Sequence, residues 1–343
     1  MGDPAGIGPE VVLKAVTAPA LAARIDPVLV GDLAVWQETA DRLGLEGLRL
    51  VPTTRRGPAG PREMYVVETS TLPARYRVPG PPHGRAAMRA CGEAAYAAII
   101  AAVRLVQTGD AAGVVTAPIN KAHVVAAGHD FPGHTELLAT LAGGVPVRMM
   151  MAGPRLRVVL VTTHLRLADV PRRLSREAVL ETITITARSL RERLGVAQPR
   201  LAVTGLNPHA GEQGLFGDEE ARVILPAVRA ARRRGIDASG PLAADGVFAL
   251  AADGAYDAII CMYHDQGLAP FKLLHFADGV NVTLGLPFIR TSPDHGTAFD
   301  IAGTGRADAR SMAAALQMAA EAARRLPLHR PVTLVRRAGT AVS

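Results

Sequence analysis

The chain has 343 residues, of which 49% are hydrophobic, 20% charged and only 4% aromatic. This composition is that of a globular protein with a substantial core, and it excludes a disordered or fibrous chain. The formal net charge of +7 is scattered in short arginine runs without aromatic stacking surfaces, which argues against nucleic-acid binding and favours a small anionic substrate.

Targeting and membrane signals are not apparent. No basic segment followed by a short apolar run opens the chain, so we expect no signal peptide. Arg104 and Asp110 bound the longest apolar helical stretch, and we therefore expect no membrane span. Cys91 and Cys261 lie in predicted helix and strand interiors, as small core residues do in proteins of a reducing compartment. The expected location is the cytoplasm.

The first predicted element is a glycine-rich loop at the very start of the chain. "MGDPAGIGPE" contains three glycines and two prolines and continues into the helical pattern "EVVLKAV". Loops of this kind hold anions at helix N-termini, yet they normally follow a β-strand. We therefore expect a strand before Met1.

Along the rest of the chain, strand-like runs alternate with helical patterns, which predicts an α/β fold with largely parallel sheets. A proline- and glycine-rich loop over 52–82 contains the strand "MYVVETS". The other predicted strands are "AAGVVTAPINK", two antiparallel strands in "VRMMMAGPRLRVVLVTTH", "RLAVTGLNPH", "YDAIICMYH" and "VNVTLGL". The predicted helices span 85–107, a segment starting near 134, 175–194, 218–234, "QGLAPFKLLHF" and 307–325.

Three histidines stand just past the ends of apolar strands. His164 follows "RVVLVTT", His209 follows "RLAVTGLNP" and His264 follows "AIICMY". In open α/β sheets, ligands bind beyond the carboxyl ends of the strands. Three imidazoles at that edge could hold a divalent metal with room for substrate or water. The alternative is that each histidine is an ordinary structural residue of its loop.

Further polar groups follow the third histidine. Lys272, Asn281 and Arg290 are the residue types that a phosphate or carboxylate requires, and the last two are expected to flank the strand "VNVTLGL". The chain contains only three lysines. Lys14 lies on a predicted solvent face, whereas the apolar neighbours of Lys272 in "PFKLL" favour a specific role for that residue.

The segment "FPGHTE" places His134 and Thr135 at a predicted helix start. They would either bind a ligand there or simply cap the helix.

No Rossmann glycine fingerprint is present, because "GIGPEV" lacks the third glycine. If the protein binds a dinucleotide cofactor, it therefore does so with a fold other than the Rossmann fold.

Eight motifs together carry a resemblance to a known family. They are "GDPAGIGPE", "TAPINK", "PGHTE", "TTH", "LNPHAGE", "MYHDQGL", "VNVTLGLPFIRTS" and "DHGTAFDIAGTG". Their order along essentially the whole chain resembles the 4-hydroxythreonine-4-phosphate dehydrogenase (PdxA) family. That family is similar in fold to the isopropylmalate and isocitrate dehydrogenases, which bind NAD without a Rossmann fingerprint.

The resemblance implies a two-domain α/β fold with mostly parallel sheets and some antiparallel pairing. Residues 1–125 with 300–343 would form a large domain, and 126–299 a second domain that carries the metal ligands and a homodimer interface. The active site would lie in the cleft between the domains. Neither nucleic acid nor a membrane is an expected partner.

The implied activity is NAD-dependent oxidation of 4-phosphooxy-L-threonine at C3. Loss of carbon dioxide then gives 3-amino-2-oxopropyl phosphate, on the route to pyridoxal phosphate. The resemblance assigns a divalent metal (Zn, Mg or Co) to His164, His209 and His264. It assigns substrate binding to His134, Thr135, Lys272, Asn281 and Arg290.

Catalytic and cofactor roles are also implied by the resemblance. Lys272 or Asp265 would transfer protons. Asp245 would lie near the metal or substrate, although its loop "PLAADGVF" departs from the family pattern of proline before Ala-Asp and threonine after it. By analogy with the related dehydrogenases, Gly296, Thr297 and Ala298 would hold the adenosine end of NAD.

Three alternative functions remain open at this point. Within the family, the substrate could be D-threonate or D-erythronate 4-phosphate. Outside it, the three histidines could serve a metal-dependent hydrolase that needs no nucleotide, or a binding protein without chemistry. Formation of reduced NAD separates a dehydrogenase from the last two.

Overall fold

The computed structural model describes residues 1–53, 62–131 and 133–325. The helices are α1 (Gly8–Thr17), α2 (Pro19–Ala22), α3 (Leu33–Arg42), α4 (Arg85–Thr108), α5 (Lys121–Ala126), α6 (His134–Leu141), α7 (Val170–Arg173), α8 (Arg176–Glu192), α9 (Leu225–Arg233), α10 (Ala244–Ala252), α11 (His264–Leu274) and α12 (Arg310–Ala323). The strands are β1 (Val28–Gly31), β2 (Arg49–Pro52), β3 (Glu63–Glu68), β4 (Gly113–Val115), β5 (Arg148–Ala152), β6 (Arg157–Leu160), β7 (Leu201–Thr204), β8 (Ala238–Leu242), β9 (Ala258–Cys261), β10 (Val280–Leu284) and β11 (Ile289–Pro293).

These elements form two compact units. The first is Met1–Val145 together with the described residues from Leu286 onward, and the second is Pro146–Gly285. The predicted domain boundaries at 125 and 299 differ from these. The Gln107 side chain of α4 donates to the Leu141 carbonyl at the end of α6, and β11 packs on α12 and β4, so α6 and β11 both belong with the first unit.

In the first unit, β1 and β2 both pair in parallel with β3, and β4 pairs in parallel with β11. Helices α3 and α5 of this unit begin at polar side-chain caps. The Asp32 carboxylate caps α3 by accepting from the Val35 amide, and Asn120 caps α5 by accepting from the His123 amide. Such caps satisfy N–H groups that the first helical turn leaves without partners.

In the second unit, the strand order is β10-β5-β6-β9-β7-β8. β5 is antiparallel to β10 and to β6, and β6, β9, β7 and β8 are mutually parallel. The fold class predicted from the sequence, α/β with mostly parallel sheets and some antiparallel pairing, is confirmed. A buried core lies between this sheet and helices α10 and α11, with residues including Met151, Val158, Leu160, Ile259 and Phe271.

Helix α4 contradicts the prediction that no stretch has the length of a membrane span. An 18-residue window within its 24 residues has a mean hydropathy of 1.3, so the helix could cross a membrane by length and composition alone. Its alanine-rich face is instead packed in the first unit, where Cys91, Ala95 and Val103 are buried. We therefore interpret it as a core helix.

Several elements were not predicted from the sequence, among them β1, α3, β8, α10 and β11. Helix α10 occupies "ADGVFALAA", which overlaps the segment that was expected to be a loop. Strand β11, "IRTSP", contains an arginine and ends in proline, and neither residue is typical of a buried strand. As a result, Asn281 and Arg290 lie within β10 and β11, rather than flanking a single strand.

A cavity of about 360 Å³ lies in the first unit, lined by β1, β4 and the last turns of α12. Among the described residues, β1 pairs with β3 alone. The Met1 amine donates to the Val30 carbonyl at 3.0 Å, and burial lowers its pKa to about 5. The strand expected before Met1 stays a prediction.

Lys14 is not the simple solvent-face residue that its position in α1 predicted. Its ammonium donates to the Glu10 carboxylate at 2.8 Å and to the carbonyls of Gly305 and Ala307 at 2.7 and 2.8 Å. Glu10, which is 3% exposed, also accepts from the Ala307 amide. The pair thus joins α1 to the chain that precedes α12.

Replacing Lys14 with methionine should lower the free energy of unfolding by about 1–3 kcal/mol, because the buried Glu10 carboxylate would lose its cation. Urea denaturation measures this change. The same substitution at the exposed Lys121 is the matched control and should stay within about 0.5 kcal/mol of the parent chain. Equal stability of the two variants would show that the Lys14 contacts contribute nothing.

Candidate active site

The three histidines reach one edge of the sheet in the second unit. The strands that precede them, β6, β9 and β7, are consecutive neighbours and all parallel. His164 follows β6, His264 is the first residue of α11 after β9, and His209 follows β7. Because parallel strands present their carboxyl ends at the same edge, this order places the three segments that carry the histidines along one edge.

Two close contacts involve these histidines. The rings of His164 and His264 lie with centroids 5.5 Å apart, and His209 Nδ1 lies 3.9 Å from a carboxylate oxygen of Asp245. No set of three His, Cys, Asp or Glu side chains is close enough to hold one metal ion in the part of the chain that the structure describes. The three-histidine metal site therefore stays a prediction.

The chemistry of the donors nevertheless fits a divalent metal. Nδ1 of His264 is 2.7 Å from the Asp265 carboxylate, and Asp245 stands on the Nδ1 side of His209. A carboxylate that accepts from Nδ1–H leaves Nε2 free to coordinate and orients the ring, as in carboxylate–histidine–metal triads. Asp245 comes from the first turn of α10, so the structure replaces its predicted loop with a helix start.

Several large apolar side chains are exposed on the second unit. They follow His164, lie beyond the turn that carries His209, or project from α10 and the end of α11. The exposed large hydrophobic residues on these segments are Leu165, Leu167, Leu215, Phe216, Leu250, Leu273, Leu274 and Phe276. Exposed apolar surface of this extent commonly marks an interaction site.

A second polar group lies in the first unit around Arg290. This side chain is 3% exposed, and its Nη2 donates to the hydroxyl of Thr116 at 2.8 Å. Burial lowers the pKa of Arg290 to about 10, partly offset by the carboxylate of Glu136. The guanidinium therefore stays positively charged at neutral pH.

His134 lies close to this cation. Burial, with the charge of Arg290 as a second cause, lowers the pKa of His134 well below its usual value, so the imidazole is neutral at pH 7. Its buried Nε2 has no hydrogen-bond partner among the described residues. A buried cation beside a buried polar nitrogen without a partner is a typical binding place for an anionic ligand.

Neither His134 nor Thr135 serves as a side-chain cap of α6. The residue that caps α6 is Gly133, in extended conformation, and no side chain caps the helix. Sequence reasoning missed Thr116, whose signal was the first letter of "TAPINK". Asn120 of the same motif caps α5.

Lys272 and Asn281 belong to the second unit, whereas His134, Thr135 and Arg290 belong to the first. Lys272 is half-buried on α11, with its ammonium 5.6 Å from the ring centre of Phe276. Asn281 is half-buried on β10, in register with Met151 of β5.

The segment predicted to bind NAD contacts the opening loop of the chain. The Ile7 amide donates to the Thr297 carbonyl at 2.9 Å. A Cβ on Gly6 would lie 2.9 Å from that carbonyl oxygen, so only glycine permits this approach. Ala298 next to it has a positive φ of 40°. The opening loop therefore helps to shape the segment from Gly296 to Ala298.

Comparison with known proteins agrees with these features. A family model described as "Pyridoxal phosphate biosynthetic protein PdxA" matches residues 23–319. A 4-hydroxythreonine-4-phosphate dehydrogenase of Geobacter metallireducens is 54% identical over 326 residues, which cover 94% of each chain. A D-threonate 4-phosphate dehydrogenase of Salmonella typhimurium is 43% identical, over 94% of this chain and 97% of the relative. The crystal structure of a 4-hydroxythreonine-4-phosphate dehydrogenase from Klebsiella pneumoniae matches with a TM-score of 0.83 and 41% identity, over 94% of this chain and 96% of the other. The chain therefore belongs to the PdxA family, as its motifs predicted.

Proposed function

We propose that the chain catalyses NAD-dependent oxidation of 4-phosphooxy-L-threonine at C3, followed by decarboxylation to 3-amino-2-oxopropyl phosphate. Membership of the PdxA family makes it an oxidoreductase, and the relative at 54% identity carries the name of this activity. The observation that carries the proposal is the buried Arg290 cation beside Thr116 and the unpartnered Nε2 of His134.

The buried groups of the first unit have defined roles in this proposal. Arg290 offsets the negative charge of the substrate, and a guanidinium can do so through two parallel hydrogen bonds. His134, neutral at pH 7, offers a hydrogen bond without adding charge. Thr135, near the start of α6, adds a hydroxyl and a helix N-terminus, both of which favour anions.

The second unit supplies the remaining roles. His164, His209 and His264 would hold a divalent ion (Zn, Mg or Co), which when bound polarises the reacting oxygen. Asp265 and Asp245 orient the imidazoles by accepting from Nδ1. Lys272 and Asn281 bind the substrate, and Lys272 or Asp265 transfers the protons that oxidation and decarboxylation require.

NAD, the proposed hydride acceptor, would bind with its adenosine end on Gly296, Thr297 and Ala298. The close packing of Gly6 and Ile7 on Thr297 supports this assignment, because it holds that backbone rigidly.

The proposed assembly is a homodimer in which the second copy covers the exposed apolar side chains of the second unit. The proposed location is the cytoplasm, which two free buried cysteines support.

Substrate choice tests the proposal. Purified protein with a divalent metal and NAD is given 4-phosphooxy-L-threonine or D-threonate 4-phosphate, which differ in the group at C2, and the absorbance of reduced cofactor is followed. We expect kcat/KM to be at least about 100-fold higher for 4-phosphooxy-L-threonine, because a site built to bond an amino group discriminates strongly against its replacement.

The second candidate function is D-threonate 4-phosphate dehydrogenase, which the 43% identical relative favours. Turnover of D-threonate 4-phosphate alone would select it and reject the first proposal. If neither substrate reduced NAD while a phosphate or other ester were hydrolysed, the metal-dependent hydrolase would replace both.

A further inference from the structure

The chain around His209 folds into a left-handed turn. His209, Ala210, Gly211, Glu212 and Gln213 have φ values of 52, 54, 83, 42 and 57°. Each residue here that is not glycine pays a steric penalty for this conformation. Such a run persists only where surrounding contacts hold it, and strained backbone of this kind concentrates at functional sites.

Glu220 contacts the turn and the residues that lead into it. This carboxylate is 5% exposed. Its Oε1 accepts from the amides of Leu206 and Asn207 at 2.7 and 2.8 Å, and its Oε2 accepts from the Asn207 side chain at 3.1 Å. A Cβ on Gly211 would lie 2.7 Å from Oε2. Glu220 therefore fills the inside of the turn that carries His209.

Gln266 holds the same segment from the other side. Its Oε1 accepts from the Met262 amide at 2.7 Å and from the Thr204 hydroxyl at 2.9 Å. Its Nε2 donates to the Gly205 carbonyl at 2.7 Å. The ends of β7 and β9, which lead to His209 and His264, are thereby tied together.

We infer that Glu220 is a positioning residue, whose carboxylate holds the left-handed turn so that the His209 imidazole is presented for metal binding. The inference rests on the proposed function, because His209 is a metal ligand only under it. Glu220 would not touch the metal or the substrate, and it acts through the backbone of Leu206 and Asn207 and the side chain of Asn207.

The variant Glu220→Gln tests this role. A glutamine oxygen can keep both backbone bonds, but its NH₂ group then faces the NH₂ group of Asn207. We expect the affinity of the metal-free protein for Zn²⁺, measured by competition with a chromogenic chelator, to fall about 10- to 100-fold. Adding Asn207→Asp together with Glu219→Gln gives both new amides an acceptor, because Glu219 also contacts the Asn207 side chain, and should recover most of that loss.

Glu219→Gln is the matched control. Glu219 accepts from the Asn207 side chain at 2.8 Å, and a glutamine oxygen can keep that single bond. The Zn²⁺ affinity of this variant should stay within about twofold of that of the parent chain, because a partly exposed carboxylate contributes little. Urea unfolding of the metal-free variants separates positioning from stability, because a purely structural Glu220 would change the midpoint without changing the affinity of the folded protein.

The outcomes separate the two proposals. If the parent chain bound no Zn²⁺, or bound Zn²⁺ no more tightly than the His209→Ala variant does, the proposed metal site would be wrong. If binding depended on His209 but Glu220→Gln matched the parent, the positioning role would fail. Should Glu220→Gln not fold, Asn207→Ala removes the side-chain bonds to Glu219 and Glu220 and keeps both backbone bonds, and unchanged affinity in that variant would also overturn the inference.

Discussion

Replacing Arg290 with lysine should lower kcat/KM for the phosphorylated substrate about 10²-fold, and replacing it with alanine about 10³- to 10⁴-fold. The guanidinium is buried in β11 and donates to Thr116. Lysine keeps a positive charge but not the planar pair of donors that fits an anionic oxygen pair. Alanine also leaves the anion without a cation in a site of low dielectric constant.

Steady-state kinetics with NAD and 4-phosphooxy-L-threonine provide the measurement, and we expect KM to rise more than kcat falls. Thr116→Val is the graded comparison, because it removes one hydrogen bond to the guanidinium and should cost about tenfold at most. Thermal unfolding of each variant shows whether the fold survives. A folded Arg290→Ala with kcat/KM within threefold of the parent would remove Arg290 from the substrate site.

Replacing His209 with alanine should abolish retention of the divalent metal and lower kcat at least about 10³-fold. The size follows from the several kcal/mol that a metal contributes by polarising the reacting oxygen, at 1.36 kcal/mol for each factor of ten. Metal analysis of the dialysed protein and kinetics at saturating substrate are the two readouts. His209 is 61% exposed, so the substitution should leave the core of the second unit unchanged.

The matched control for this prediction is His129→Ala. His129 stacks on Tyr96 with ring centroids 3.6 Å apart and bonds to Glu93 in the first unit. The same loss of an imidazole there should leave metal content unchanged. If His209→Ala kept its full metal content, the assignment of His209 as a ligand would be wrong, whatever happened to the activity.

Much of the local structure could be predicted from the sequence. The patterns correctly placed the helix that follows the opening loop, the helix over 85–107, the turn between β5 and β6 and three histidines after three strands. These features depend on residues within one turn or one strand. Helical and strand periodicities, prolines and glycines report such short-range preferences directly.

The tertiary structure decided the features that depend on distant residues. That β6, β9 and β7 are neighbours, and so bring their histidines to one edge, follows from strand pairing across about a hundred residues of chain. The same holds for the burial of Arg290 against Thr116, and for Glu220, which is separated in sequence from the turn it holds and carries no periodic signal. Burial and strand order are set by the free energy of packing the whole chain, which local patterns do not contain.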